Sequence, residues 1–229
     1  MTRGTLYAVG LGPGEPDLLT LRGRRVLEQV PAVFAAARHA AGRSYALELA
    51  TPFLDPGRQR IEVLPFPADA HAERIIDVMR GHDVAFLTEG DPLFYSSFIG
   101  VLGVVRRRDR HAQVCVVPGV CSPMAAAALA GLPLARDDQQ LAVVPAMHAL
   151  DRLSGVLRDF DTVVLLKISP VLERVLDEVD AAGLGDTAVH VRRVGRPEQS
   201  VIVGSAAIRQ APPPVTDDYF SLLIVQRRP

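Results

Sequence analysis

The sequence has no excess of charge of either sign. Its 25 Lys and Arg residues nearly balance 26 Asp and Glu residues, so the formal net charge at pH 7 is -1. A chain without a basic excess has no long-range attraction for nucleic acid or for an anionic membrane surface. These numbers disfavour a nucleic-acid enzyme, and we expect no nucleic-acid partner.

Cysteine is scarce, and long apolar runs are missing. Cys115 and Cys121 are the only cysteines in the sequence, too few for a disulfide framework and unlike a metal-ligand pattern in their spacing. We therefore expect a reducing compartment and no metal. No apolar stretch is long enough to span a bilayer, and Met1–Gly10 leads into a strand-like segment without a basic, apolar leader. We predict a cytoplasmic protein with no membrane partner.

The chain has enough apolar material for two modest cores. Apolar residues make up 48% of its 229 residues and charged residues 22%, which is a globular balance. Short apolar strands alternate regularly with helical stretches as far as the Ala-rich segment Met124–Ala130. This alternation predicts an α/β domain over residues 1–135 with a mainly parallel sheet.

A change of pattern marks the second α/β domain, which we place at residues 136–229 after a polar linker that begins at Arg136. Ala188–Val194, Ser200–Val203 and Tyr219–Val225 are strand-like runs without intervening helices of any length. Such runs predict a mixed sheet with antiparallel pairs.

Three loops that follow predicted strands carry the candidate chemistry. They are Gly10–Gly14, Thr88–Tyr95 and Pro118–Pro123. Open α/β sheets bind ligands at the carboxyl ends of their strands, so the shared position of the loops favours a binding site. Each loop alone also has an ordinary explanation as a tight turn or a helix cap.

The first loop departs from two common nucleotide-binding patterns. The dinucleotide fingerprint requires glycine at its sixth position, where the sequence has Glu15. It also requires an acidic residue after the second strand, where the sequence has Ala37, Arg38 and His39. Ala8 stands where common methyltransferases tend to carry an acidic residue. A nicotinamide oxidoreductase is therefore a weak alternative, and the usual methyltransferase fold is disfavoured.

Taken together and in this order, the three loops resemble the signatures of the tetrapyrrole methylase family. The matching patterns are Gly-x-Gly-Pro-Gly, Glu-Gly-Asp-Pro and Pro-Gly-Val-x-Ser. The resemblance extends over essentially the whole chain. It implies two α/β domains with S-adenosylmethionine in the cleft between them, S-adenosylhomocysteine as product, a tetrapyrrole acceptor and a homodimer. Thr88–Phe98 is particularly similar to the branch of the family that methylates precorrin-2 at the C(20) bridge carbon.

The resemblance also assigns site residues. It implies cofactor contacts from both domains: Pro13, Glu89, Gly90, Asp91, Phe94, Cys121, Ser122, Lys167, Gly195 and Leu222. We expect substrate contacts at Gly12, Gly14 and Tyr95. Relatives commonly have Ser or Thr at the position of Cys121, so a hydroxyl hydrogen bond to the cofactor is in doubt there.

A reduced tetrapyrrole supplies its own nucleophilic carbon, so we expect neither a catalytic triad nor a metal. The protein has to align the two reactants and exclude water. Glu89 and Tyr95 are candidates for the base that removes the displaced proton, whereas Asp91 is a candidate that the cofactor or the loop could occupy fully. Cations for the acceptor carboxylates could come from Arg22, Arg38, Arg193 and Arg196.

Three alternatives stay open on the sequence. One is methylation of a different tetrapyrrole position or of cobalt-precorrin-2. Another is a family member acting on modified histidine or on ribosomal RNA, against which the near-neutral charge argues. The third is a non-catalytic protein that binds an adenosine-type ligand or a tetrapyrrole.

Overall fold

The computed structural model describes residues 4–37, 42–211 and 220–227. The chain splits into two compact units, Met1–Cys121 and Ser122–Pro229, each with its own five-stranded sheet. Four features singled out in the sequence lie outside the described residues: Arg38, His39, the Pro212–Pro214 run and Tyr219. Within the described ranges, none of the helices combines the length and the apolarity needed to cross a membrane.

The first unit alternates strands with helices. In chain order its elements are β1 (Leu6–Gly10), α1 (Leu21–Gln29), β2 (Ala32–Ala36), α2 (Tyr45–Ala50), β3 (Arg60–Leu64), α3 (Ala72–Met79), β4 (Val84–Thr88), α4 (Phe98–Arg108) and β5 (Val114–Val117). The strands pair in parallel in the order β3-β2-β4-β1-β5. The predicted parallel sheet is confirmed.

Both faces of this sheet are covered. Phe34 and Phe86 pack with Phe98 in a core on the side of α3 and α4, while Val33 and Leu87 pack with Leu27 on the side of α1 and α2. A strand that is buried on both faces has a continuous apolar sequence, and the sequence of β4 is of this kind. This two-sided burial fixes the ends of the strands and hence the positions of the loops that follow them.

The sequence pattern predicts a helix over Tyr95–Arg107, but α4 begins three residues later, at Phe98. Tyr95 has a φ of 53°, in the left-handed region that a right-handed helix cannot contain. The Ser96 hydroxyl accepts the Phe98 N–H at 3.0 Å. Tyr95 therefore belongs to the loop after β4 and not to the helix.

The second unit begins with the Ala-rich helix. Its elements are α5 (Ser122–Ala130), β6 (Leu141–Pro145), α6 (Ala146–Ala149), α7 (Leu153–Asp159), β7 (Thr162–Leu166), α8 (Leu172–Ala181), β8 (Ala188–Arg192), β9 (Ser200–Val203), α9 (Ser205–Gln210) and β10 (Ser221–Gln226). The strand order is β6-β7-β10-β8-β9. The β6–β7 pair is parallel and the other pairs are antiparallel, which confirms the predicted mixed sheet.

Two features of the second unit differ from the sequence expectation. A short helix, α9, stands between β9 and β10 where we expected none; it buries Ile208, and Arg209 pairs with Asp177 and Asp180 of α8. The unit also begins at Ser122, whereas we placed the boundary after residue 135. The reason is that α5 contacts β8 and β10.

Candidate functional site

The three candidate loops follow three neighbouring strands. β1 lies between β4 and β5 in the first sheet, and parallel strands deliver the loops after their carboxyl ends to the same edge. The loops that begin at Gly10, Thr88 and Pro118 therefore meet. We call the residues through which they touch, Gly10, Gly12, Gly90, Asp91 and Gly119, the loop junction.

Backbone hydrogen bonds continue the pairing of β1 and β4 into their loops. The Leu11 N–H donates to the Thr88 carbonyl at 3.0 Å. Beyond it, Gly12 and Gly90 exchange two bonds: the Gly90 N–H reaches the Gly12 carbonyl at 2.8 Å, and the Gly12 N–H reaches the Gly90 carbonyl at 3.3 Å. The first two loops are thus held in one fixed register.

Gly119 brings the third loop against the other two. A Cβ on Gly119 would lie 2.1 Å from the Gly90 carbonyl oxygen and 2.9 Å from the Gly10 Cα. These neighbours are backbone atoms, which cannot turn aside as a flexible side chain can. Only glycine permits this approach.

The Asp91 carboxylate fastens the second loop to the third. Its Oδ2 accepts the Gly119 N–H at 3.1 Å, and its Oδ1 accepts the N–H of Leu93 at 2.9 Å. Both oxygens are therefore engaged by backbone amides. In the described structure Asp91 joins loops, a role that the sequence left undecided between loop and cofactor.

One side of the loop junction is open. Gly90 has a φ of 62°, and a Cβ there would find its nearest heavy atom, the Val120 carbonyl oxygen, 3.9 Å away. Further along the same loop, the Phe94 and Tyr95 rings meet edge to face with centroids 4.9 Å apart, and Tyr95 is 45% exposed. The second loop therefore carries both an uncrowded glycine and an aromatic pair with one exposed ring.

The electrostatics of the loop junction keep Cys121 neutral. Burial raises the pKa of the Cys121 thiol above its ordinary value, and the negative charge of Asp91 raises it further. The thiol is accordingly protonated at neutral pH. Cys121 can offer a ligand its backbone and a weakly polar S–H, but no thiolate.

The other candidates of the first unit lie around this junction. Gly12, Pro13 and Gly14 are buried in the first loop, while Glu89 and Phe94 are partly buried in the second. Ser122, also partly buried, begins α5 immediately after the third loop. Arg22, a candidate cation, lies elsewhere: its guanidinium contacts the Cys115 Sγ at 3.0 Å on β5.

The three candidates of the second unit lie at one edge of its sheet. Lys167 follows β7, Gly195 follows β8, and Leu222 is near the start of β10. The antiparallel pairs Leu166–Leu222 and Arg192–Ser221 bring these strand ends together. We call Lys167, Gly195 and Leu222 the second-sheet edge.

Backbone strain marks this edge as well. Lys167 has a φ of 55° and Arg193, a candidate cation, a φ of 49°, both in the left-handed region that disfavours residues with a Cβ. The Arg193 N–H donates to the Phe220 carbonyl at 2.8 Å, and Arg196, the next candidate cation, donates its N–H to the Arg193 carbonyl at 3.0 Å.

Two residues that help to form these edges were not predicted from the sequence. Gly119 was read only as part of a strand-ending turn, although its Pro-Gly context was visible. Ser169, whose hydroxyl lies 3.0 Å from that of Ser221, gave no signal, because it pairs with a residue 52 positions away.

A parallel α/β unit with joined loops at its carboxyl edge, followed by a mixed α/β unit, defines a two-unit ligand-binding class of α/β protein. Residues 5–208 match the model of the family described as Tetrapyrrole (Corrin/Porphyrin) Methylases. The chain belongs to the tetrapyrrole methylase family.

Curated relatives agree with this assignment, and a solved structure has the same fold. The chain is 35% identical to cobalamin biosynthesis protein CobIJ of Mycobacterium tuberculosis over 97% of its own length and 46% of the relative. It thus spans about half of that relative. It is 34% identical to precorrin-2 C(20)-methyltransferase of a Sinorhizobium species, over 97% of the chain and 95% of the relative. The crystal structure of cobalt precorrin-4 methyltransferase CbiF superposes with a TM-score of 0.76 at 23% identity, covering 97% and 94% of the two chains.

Proposed function

We propose that this chain methylates precorrin-2 at its C(20) bridge carbon, with S-adenosylmethionine as the methyl donor. The observation that carries the proposal is the loop junction, where three loops are fixed to one another and leave the backbone at Gly90 open. The Sinorhizobium relative, similar over nearly its whole length, supports this acceptor and this position.

The loop junction suits an adenosine-type donor. The second loop supplies the paired Phe94 and Tyr95 rings and the partly buried backbone at Gly90, and such groups can hold the flat and polar parts of a ligand of this kind. We propose first-unit contacts at Pro13, at Gly90 and its neighbours, and at Cys121. The proposed contacts of the second unit are Ser122, Lys167, Gly195 and Leu222.

The reaction requires the protein mainly to align the methyl donor and the acceptor. S-adenosylmethionine, when bound, supplies an electrophilic methyl group on a sulfonium. Holding the acceptor carbon in line with that methyl group lowers the barrier by roughly 7 to 11 kcal/mol. Glu89 and Tyr95, which follow β4, are the proposed candidates for taking up the proton released at the methylated carbon, while Gly12, Gly14 and Tyr95 contact the acceptor.

The proposal includes a cytoplasmic homodimer with no nucleic-acid or membrane partner. The family resemblance supports the dimer, and the formal net charge of -1 supports a small-molecule acceptor over RNA. Light scattering of the purified protein should give twice the 24.7 kDa mass of the chain. A mass of one chain would contradict the dimer but not the reaction.

The reaction is tested with methyl-labelled S-adenosylmethionine. Purified protein is incubated with precorrin-2 and, in parallel, with cobalt-precorrin-2, and the pigment is analysed by mass and by carbon NMR. We expect one labelled methyl group at C(20). Label at another carbon would indicate a different tetrapyrrole methylase, and label with the cobalt compound alone would change the acceptor.

A binding experiment separates the proposal from its rivals. Calorimetry compares S-adenosylhomocysteine with NAD, and we expect heat of binding with the first only. Binding of S-adenosylhomocysteine without transfer to any tetrapyrrole would favour a non-catalytic adenosine-binding protein. Binding of NAD alone would favour the oxidoreductase alternative.

A further inference from the structure

We infer that Asp91 is a positioning residue, which sets the geometry of the donor-binding loops through its carboxylate and does not contact the donor with it. The inference rests on the proposed function, because it concerns how the same site is built. It assigns to one side chain the task of holding two loops at a fixed separation.

The first step is the connectivity of the sheet. β4 and β5 are not paired with each other, because β1 lies between them. The bond from the Gly119 N–H to Asp91 Oδ2 therefore passes over the end of β1 and links residues 28 positions apart. Among the described residues, no strand pairing duplicates this link.

The second step is the use of both carboxylate oxygens. Oδ1 accepts the Leu93 N–H within the loop of Asp91, which fixes the direction of the carboxylate, and Oδ2 accepts the N–H of Gly119. Hydrogen bonds to an ionised acceptor are stronger than neutral ones. The Leu93 N–H thus holds the carboxylate in place through Oδ1, and the carboxylate holds the third loop through Oδ2.

The third step connects the link to the opening. The heavy atom nearest to a Cβ placed on Gly90 would be the Val120 carbonyl oxygen, at 3.9 Å. Val120 follows Gly119 directly, so releasing the Gly119 N–H lets this carbonyl move. Asp91 thereby determines the width of the open side at which we place the donor.

The chain offers a matched control at the opposite end of the same strand. Asp83 immediately precedes β4, and its Oδ1 accepts the Thr5 N–H at 2.7 Å. This bond also joins a carboxylate to a distant backbone amide in the first unit, across 78 positions. It lies at the amino edge of the sheet, away from the loop junction.

The test compares Asp91→Ala with Asp83→Ala by three measurements: urea unfolding, calorimetry with S-adenosylhomocysteine, and hydrogen exchange of the ligand-free proteins. We expect similar losses of stability from the two substitutions. Asp91→Ala should weaken binding about tenfold or more, and Asp83→Ala about twofold or less. Exchange in residues 117–121 should accelerate in Asp91→Ala alone.

Asp91→Asn keeps the inference testable if Asp91→Ala does not fold. Its amide keeps one acceptor for two N–H donors, so both its affinity and its exchange rate in 117–121 should fall between those of wild type and of Asp91→Ala. Weaker binding with unchanged exchange would overturn the inference in favour of direct contact with the donor. Equal loss of binding in the two alanine variants would also overturn it.

Failure of the proposed function is a different result. Wild-type protein that does not bind S-adenosylhomocysteine would contradict the proposed donor. If wild-type protein and Asp91→Ala bind S-adenosylhomocysteine with equal affinity, only the positioning role of Asp91 is contradicted.

Discussion

The loop junction and the second-sheet edge are held together in different ways. At the loop junction the contacts are mostly between backbones, with Gly119 against Gly90 and Gly10. At the second-sheet edge, side chains contribute: the Ser169 and Ser221 hydroxyls pair at 3.0 Å, and the Gln199 Oε1 accepts the Gly195 N–H at 3.0 Å. Backbone contacts leave no freedom to adjust, so we expect substitutions to be far more costly at the first edge.

The largest expected effect is that of Gly119→Ala. The added Cβ would stand 2.1 Å from a backbone oxygen, and we expect a loss of about 3 kcal/mol of stability, with loss of S-adenosylhomocysteine binding. Urea unfolding and calorimetry measure the two. Gly81→Ala is the control, since nothing lies within 4 Å of its Cβ position; comparable stability of the two variants would contradict the backbone contact.

Gly185→Ala sharpens the same comparison in the second unit. Its Cβ would meet the Asp180 Oδ1 at 2.3 Å and the Ser205 Oγ at 2.7 Å, which are tips of side chains that can shift. We expect a cost of about 1 kcal/mol, well below that of Gly119→Ala, in the same unfolding assay. Equal costs would show that the second unit is as rigid as the first.

Gly90→Ala separates strain from binding. Gly90 and Gly183 both have left-handed φ, 62° and 72°. A Cβ on Gly90 would make only an ordinary contact with the Val120 carbonyl oxygen at 3.9 Å, and a Cβ on Gly183 would have no heavy atom within 4 Å. We expect each alanine to cost about 1 to 2 kcal/mol of stability. Only Gly90→Ala should also weaken binding of S-adenosylhomocysteine, about tenfold. Equal affinities in the two variants would move the donor away from Gly90.

The Ser169–Ser221 pair is expected to contribute less. Ser221→Ala should cost about 1 kcal/mol, and Ser169→Ala in the Ser221→Ala background should add little, because the shared hydrogen bond is already lost. A double-mutant cycle by urea unfolding measures this coupling. Additive losses would mean that the two hydroxyls act independently.

The smallest expected effect is an alkaline one at Cys121. Burial and the negative charge of Asp91 raise the folded pKa of this thiol above its ordinary value. The associated stability is present below the unfolded pKa and is lost as pH rises through the folded pKa. Cys121→Ser should remove this alkaline decline, as followed by thermal unfolding between pH 7 and pH 11. An unchanged decline would assign it to other groups.

Sequence reasoning located the first edge better than the second for a physical reason. In a parallel sheet each buried strand is a short apolar run followed by its own Gly- or Pro-bearing loop, so the loops at one edge recur visibly along the chain. β5 is such a strand, an apolar run at Val114–Val117 that Pro118 and Gly119 follow directly. At an antiparallel edge, the end of one strand lies beside the beginning of another, as Leu166 lies beside Leu222. No local sequence pattern indicates such an edge.

Long-range partners explain the remaining differences. The link between Asp91 and Gly119 was not predicted because the two residues lie 28 positions apart. The helix α9 was missed since six residues are too few for a clear period, and its anchoring comes from the Arg209 contacts with α8. The late start of α4 follows from the left-handed φ of Tyr95, which residue type alone does not predict.

The central claim is that the loop junction binds the methyl donor, and hydrogen exchange with and without S-adenosylhomocysteine tests it most directly. We expect added protection in residues 10–14, 88–94 and 118–121, with NAD producing none. Protection that appears only outside these three loops, or with NAD and not with S-adenosylhomocysteine, would contradict the claim.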